Sequence, residues 1–238
     1  MNAPVLEVEN LVCGYDGQAV IKDISFVLQS GSVIGLVGPN GHGKTTLLRA
    51  ISGLIKISSG CVRFKGEVVS GKDANQIVEK GIVSIPQGDL IFTEMTVQEN
   101  LLMGGYLPVA YARRKDRLNY VHGLFPKLKE RATQIASGLS GGERRMLGVG
   151  RALMSTSELL LIDEPSLGLS PVIIDQIYDV IESLRVEGRT LLIVEENASR
   201  LMDLVDRIYV LDNGHIVWDG QGRDLMENNV LMNTYLGG

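Results

Sequence analysis

Apolar and polar residues alternate from Val5 in VLEVENLVC, and the alternation returns in DISFVLQSG before a glycine turn. A period of two with β-branched residues predicts half-buried strands. SVIGLVG, Ser32 to Gly38, is apolar throughout, as a strand covered on both faces should be. A glycine-rich stretch follows, and KTTLLRAISGL then takes up a helical pattern. GCVRFKGEVV predicts a short strand pair, and GIVSIPQ a further buried strand stopped by Pro86.

From about Thr96 to Met154 the period changes. TVQENLLMGGY and YARRKDRLNYVHGLFPKL are helical and lack β-branched runs, and the charges of RRKDR, Arg113 to Arg117, read as a solvated helix face. Strand character resumes with ELLLIDEP. A helix is predicted over Val172 to Val186, with Ile173, Ile177, Val180, Ile181 and Leu184 on its apolar stripe. RTLLIVEEN is another buried strand, and DRIYVLDNGHIVWDG is a hairpin turning at Asn213-Gly214, a type I′ signal. The tail is expected to be helical. Strands alternating with helices imply a parallel α/β core. We expect one domain over 1–238, with core at about 1–86 and 155–238 and a helical insertion at about 87–154. No linker, repeat or low-complexity segment interrupts it.

Composition narrows the classes. The chain has 238 residues, 45% of them hydrophobic, enough for a substantial core. No apolar run reaches the roughly 18 residues of a membrane-spanning helix. MNAPVLEVEN has neither a basic n-region nor an apolar h-region, so no signal peptide is expected. A formal net charge of −5 argues against a nucleic-acid binder, which carries a basic face. Cys13 and Cys61 lack metal-type spacing and read as small apolar residues, in keeping with a reducing, cytoplasmic setting.

Two stretches carry chemistry. GPNGHGKTT supplies Gly38, Pro39, Asn40, Gly41, His42, Gly43, Lys44, Thr45 and Thr46, and matches G-x-x-x-x-G-K-[ST]. Its glycines let backbone N–H groups turn inward around phosphate oxygens, and the helix that begins there points its positive end at the same anion. Lys44 would reach the β- and γ-phosphates of a nucleoside triphosphate, and Thr45 would ligate Mg²⁺. His42 fills a free position, and its side chain is assigned no role. LLLIDE, Leu159 to Glu164, presents Asp163 at the C-terminal end of a buried strand, where α/β sheets bind ligands. Asp163 would hold the metal shell, and Glu164 would polarise the attacking water. LSGGE, Leu139 to Glu143, taken alone, is a helix start capped by Ser140 with amides suited to an anion.

Together GPNGHGKTT, Gln87, LSGGE and LLLIDEP resemble the ATP-binding-cassette ATPases, over essentially the whole chain. The resemblance implies an α/β P-loop NTPase core with a mainly parallel sheet, an antiparallel β subdomain and an inserted α-helical subdomain. It implies ATP and Mg²⁺, and a head-to-tail pair with a second cassette, identical or different. Ser140, Gly141 and Gly142 of one cassette would then clamp the γ-phosphate held by Gly38 to Thr45 of the other. Tyr15 matches the aromatic that stacks on adenine, and Gln87 the glutamine that touches Mg²⁺ and water. SLGLSP, Ser166 to Pro171, matches the loop crossing the dimer seam. DEPSLGLSP, GRALMS and the final YLGG look like the ATPase subunit of branched-chain amino acid and urea-type importers. That subunit sits on the cytoplasmic face of the membrane, bound to integral permease subunits and served by a substrate-binding protein. Glu196 stands where most cassettes have a switch histidine and this subfamily often has glutamine. An ionised carboxylate only accepts hydrogen bonds, so Glu196 should turn away from the phosphate or reach it through water. Two other classes fit less well. A DNA- or ribosome-associated cassette would show long heptads or two fused cassettes, and a phosphoryl-transfer kinase would need an acceptor pocket and has no use for LSGGE.

Overall fold

The computed structural model describes residues 4–88 and 90–227. In chain order the elements are β1 (Pro4–Tyr15), β2 (Gln18–Gln29), β3 (Val33–Val37), α1 (Lys44–Ile51), β4 (Ile57–Phe64), β5 (Glu67–Val68), α2 (Ala74–Glu79) and β6 (Ile82–Ile85). The helical section holds α3 (Val97–Met103), α4 (Pro108–Ala112), α5 (Arg114–Leu124), α6 (Pro126–Glu130) and α7 (Gly141–Leu153). Then follow β7 (Leu159–Asp163), α8 (Pro171–Val186), β8 (Thr190–Glu195), β9 (Arg207–Asp212), β10 (His215–Gly220) and α9 (Gly222–Glu227). The rest of the expected helical tail, with YLGG, lies outside the described residues.

Alternating sequence has become a four-stranded sheet ordered β2-β1-β4-β5, antiparallel throughout. The apolar strands β3, β6, β7 and β8 join β9 and β10 in a six-stranded sheet ordered β10-β9-β3-β8-β7-β6, parallel except for β10. Asn213 (φ 47°) and Gly214 (φ 84°) make the β9–β10 turn with both central residues left-handed, as the Asn-Gly pair predicts.

Strands β3, β7 and β8 are buried on both faces, which explains why they are not amphipathic. On one face Ile34, Leu36, Leu161 and Val194 pack with Leu47 and Ile51 of α1 and with Leu6 and Leu28 of the antiparallel sheet. On the other, Val33, Val37, Ile162 and Ile193 pack with Leu147 of α7, Ile177 and Ile181 of α8, and Leu101 and Val121 of the helical section. The insertion thus shares one core with the sheet it interrupts. Cys13 lies in the core on the α1 side of the sheet, and burial pushes its thiol up to about 11, as befits a small apolar residue.

Two expectations need correction. Arg117 is not on a solvated face: its guanidinium turns in and donates to the Leu153 and Ser155 carbonyls, capping the end of α7. Burial lowers its pKa. On α8 the innermost stripe begins at Ile174 rather than Ile173, which is only half-buried. A backbone position matters as much as these side chains. A Cβ on Gly150 would meet Val121 Cγ1 at 2.9 Å and Leu101 Cδ2 at 3.0 Å, so α3 and α5 approach α7 only because that position is bare. Gly150→Val is therefore expected to cost about 1–3 kcal/mol by overpacking, lowering the melting temperature by several degrees in calorimetry.

Candidate functional site

The site is assembled at the C-terminal ends of β3, β7 and β8. Leaving β3, the chain meets Gly38, where a Cβ would lie 2.1 Å from the Leu211 carbonyl oxygen; no other residue fits that approach. The loop closes at Gly43 (φ 111°), which caps α1. Lys44 is 3% exposed. Its ammonium donates to the Gly38 carbonyl at 2.8 Å and the Pro39 carbonyl at 3.1 Å, and reaches Asn40 Oδ1 at 3.4 Å. It also lies 3.6 Å from Glu164 Oε1. Thr45 and Thr46 occupy the first turn of α1, and Thr45 Oγ1 donates to Asp163 Oδ1 at 3.1 Å.

Asp163 ends β7 and is 3% exposed. Burial raises its carboxyl above the ordinary carboxylate value and Glu164 adds to this, while the Thr45 hydroxyl, Arg145 and Lys44 pull the other way. Glu164 has a left-handed backbone (φ 42°), a conformation that costs about 1–3 kcal/mol in a non-glycine residue and tends to mark functional sites. Its amide donates to the Val194 carbonyl at 2.9 Å, which aims the carboxylate back toward the loop. There Gln87 Nε2 donates to Glu164 Oε2 at 2.7 Å. Gln87, Lys44, Thr45, Asp163 and Glu164, spread over the sequence, are thus drawn into one contact set.

The remaining candidates are placed as follows. Glu196 faces the phosphate loop, where its Oε2 accepts from Asn40 Nδ2 at 2.9 Å; it has not swung away, and the loop itself supplies its partner. The His42 side chain does have a place: Nδ1 lies 2.7 Å from Asp212 Oδ1 and 3.2 Å from the Asn213 amide, tying the phosphate loop to the β9–β10 turn. Tyr15, at the end of β1, is 39% exposed and outside the core, and its hydroxyl accepts from Arg49 of α1 at 3.2 Å. Ser140 caps α7 in a reciprocal box. Its Oγ accepts from the Glu143 amide at 3.3 Å, and Glu143 Oε2 accepts from the Ser140 amide at 2.9 Å. Burial alone would raise the Glu143 carboxyl, but the Ser140 amide and hydroxyl, with Arg131 and Lys127, hold it below the ordinary value. The amides of Gly141 and Gly142 have no acceptor within the helix. Among the described residues, no hydrogen bond joins Ser140, Gly141 or Gly142 to the chain's own phosphate loop.

Two residues escaped the sequence reading. Arg145, 4% exposed, sends its fork to four backbone carbonyls: Pro86 at 2.6 Å, Gly88 at 3.2 Å, Asp163 at 2.8 Å and Glu164 at 3.2 Å. Its signal was available, since it falls beside Met146 and one turn from Val149 on the buried stripe of α7. Glu195 is buried next to exposed Glu196 and accepts from the Ser166 amide and hydroxyl, both at 3.0 Å, and from the Tyr178 hydroxyl at 2.9 Å. It anchors the start of the SLGLSP loop to β8. Burial and Glu195 together hold the Tyr178 phenol protonated far beyond its usual range.

A phosphate loop feeding a capped helix, an acidic pair at the end of β7, one strand removed from β3, and an antiparallel sheet packed with α1 define a nucleotide-binding ATPase. The chain belongs to the ABC transporter family, whose model matches residues 21–167. It is 45% identical to a high-affinity branched-chain amino acid transport ATP-binding protein, BraG, of Pseudomonas aeruginosa, over 92% of this chain and 93% of that one. It is 35% identical to a probable branched-chain amino acid transport ATP-binding protein, LivF, of Archaeoglobus fulgidus, over 94% and 95% of the two chains. Among solved structures, the ADP conformation of an ATP-binding cassette of an ABC transporter superposes with a TM-score of 0.84 at 28% identity, covering 100% of both chains.

Proposed function

We propose that this ABC ATPase energises the import of branched-chain amino acids or related small polar solutes, as one of two cassettes bound beneath separate membrane subunits. The observation that carries the hydrolytic part is the contact set of Lys44, Gln87 and Glu164 beside the Thr45–Asp163 pair. Lys44 exchanges the carbonyls it now touches for β/γ-phosphate oxygens, and the amides of Gly38 to Thr45 receive the rest of the anion. Glu164 takes the proton of the attacking water, with Gln87 orienting carboxylate and water together. Tyr15 stands on the solvent side of α1, free to stack on adenine.

The donor set suits Mg²⁺. Thr45 and Asp163 offer hard oxygens 3.1 Å apart, and the desolvated Asp163 gains from a nearby cation. Among the described residues no group of three or more His, Cys, Asp and Glu side chains could cage a metal, and Mg²⁺ characteristically keeps waters and substrate phosphates instead. Bound there with Gln87 as a further ligand, it would neutralise charge on the β- and γ-phosphates.

Ser140, Gly141 and Gly142 are read as the clamp on a second cassette's nucleotide, since they leave their own phosphate loop unserved. Closure on ATP and reopening after hydrolysis would then drive the membrane subunits, by differential binding of nucleotide to two states. The surface for those subunits is a cleft of about 400 Å³ between α2, β6 and the helical section, rimmed by exposed Leu54, Leu90, Phe92, Met103 and Tyr106. Among the described residues no helix is long and apolar enough to cross a membrane, and on this reading the spanning helices are those of the membrane subunits. Affinity purification from solubilised membranes is expected to bring down integral membrane subunits. Recovery of ribosomes or DNA instead would favour the alternative of a cassette ATPase uncoupled from transport.

Glu196 tunes the site rather than acting as its base, because its partner is Asn40. At about 4 Å an ionised carboxylate and a phosphate charge would repel by roughly 4 kcal/mol at an effective dielectric near 20, so direct contact is disfavoured. Glu196→Gln is expected to keep steady-state ATPase activity within about tenfold, a ΔΔG‡ near 1.4 kcal/mol. Inactivation as deep as that of Glu164→Gln would instead put Glu196 in contact with the reacting groups.

A further inference from the structure

Helix α7 carries two features that the hydrolytic reading does not connect. Its first turn presents the Gly141 and Gly142 amides behind the Ser140 cap. About one turn further on, roughly 6 Å along the axis from Gly141 at 1.5 Å per residue, Arg145 enters the interior. One nitrogen of its fork holds the carbonyls on either side of Gln87, those of Pro86 and Gly88. The other holds the carbonyls of Asp163 and Glu164, the two acids of the site. A planar fork bound to four fixed acceptors transmits displacement in a way a single flexible contact cannot. Any shift of α7 therefore moves both supports of the Gln87–Glu164 hydrogen bond, and Glu164 already sits in a strained backbone conformation.

We propose that Arg145 is a positioning residue that carries the engagement of Ser140, Gly141 and Gly142 with a partner's nucleotide to Glu164 and Gln87 of its own chain. This rests on the reading of those three residues as a clamp acting across a cassette pair. ATP captured on one side of the seam then sets the hydrolytic carboxylate on the other, through one helix and one guanidinium. Arg145 bonds to the backbone carbonyls that support the site, so its loss acts on turnover and on communication between sites, not on nucleotide affinity.

The test uses the transporter as purified with its membrane subunits, measuring ATPase rate against ATP concentration and nucleotide binding by fluorescence titration. Wild type is expected to show a Hill coefficient above one. Arg145→Met is expected to lower kcat by at least about tenfold with KM within about threefold, the mark of an interaction used in the transition state and not in binding. Its Hill coefficient should fall toward one. Arg145→Gln, which restores one amide donor pair, should recover part of kcat. Arg145→Lys, which keeps the charge without the fork, should remain impaired, and it carries the test if the Met variant does not fold. Wild-type kcat and Hill coefficient in the Met or Lys variant would overturn the proposal, as would a wild-type coefficient of one. Ser140→Arg separates the two levels of inference. If it leaves turnover and cooperativity intact, the clamp reading fails and this proposal with it. If it abolishes them while Arg145→Met does not, only the role of Arg145 is lost.

Discussion

Glu164→Gln is expected to lower ATP turnover by about 10²–10⁴-fold, the range typical of a lost general base, while ATP still binds. The side chain keeps its size and can still meet Gln87, so the geometry around β7 should survive. What is lost is the ability to accept a proton from water. The phosphate contacts of Lys44 and the loop amides are untouched, so a closed, ATP-loaded pair of cassettes should accumulate. Light scattering with and without ATP reads that directly, on the chain alone or mixed with any second cassette that co-purifies with it. Retained turnover would mean that the base lies elsewhere, and the left-handed Glu164 backbone would then lack a catalytic reason.

Lys44→Ala should abolish useful MgATP affinity. The side chain is a cation held directly against the loop carbonyls, and in the complex its ammonium would bond two anionic oxygens. A hydrogen bond to a charged group contributes about 1.5–3 kcal/mol, so losing even one weakens binding roughly 10–150-fold. Removing the ammonium also leaves Glu164, 6% exposed, without the cation 3.6 Å from its Oε1. The melting temperature should therefore be measured alongside, and Lys44→Arg serves as a charge-retaining control. An unchanged dissociation constant in isothermal titration, with the fold intact, would contradict the phosphate-loop assignment.

Much of this arrangement could be read from local sequence because it depends on local chemistry. GPNGHGKTT determines its own loop and the helix it caps, and LLLID can only be a strand buried on both faces. LSGGE specifies its capping box through Ser140 and Glu143 alone. What remained hidden depends on long-range packing. Arg145 reaches carbonyls from two distant segments, and a charged residue amid RRML reads as surface until the other side of the helix is known. Glu195 and Glu196 are neighbours of identical type; only the direction of the pleat at the end of β8 buries one and exposes the other. Arg117 misled for the same reason: in a run of charges, only tertiary contacts reveal which member turns inward to satisfy the α7 carbonyls. His42 occupies a position the motif leaves free, so its bond to Asp212 followed from no spacing rule.

The measurement that bears most directly on the central claim is uptake of radiolabelled leucine into proteoliposomes containing the complex purified through this chain, with ATP supplied on the side of the cassettes. Integral membrane subunits are expected to co-purify, uptake to require hydrolysable ATP, and Glu164→Gln to abolish uptake without disrupting the complex. Recovery of the chain without membrane subunits, or uptake undiminished in the Glu164→Gln complex, would contradict that claim.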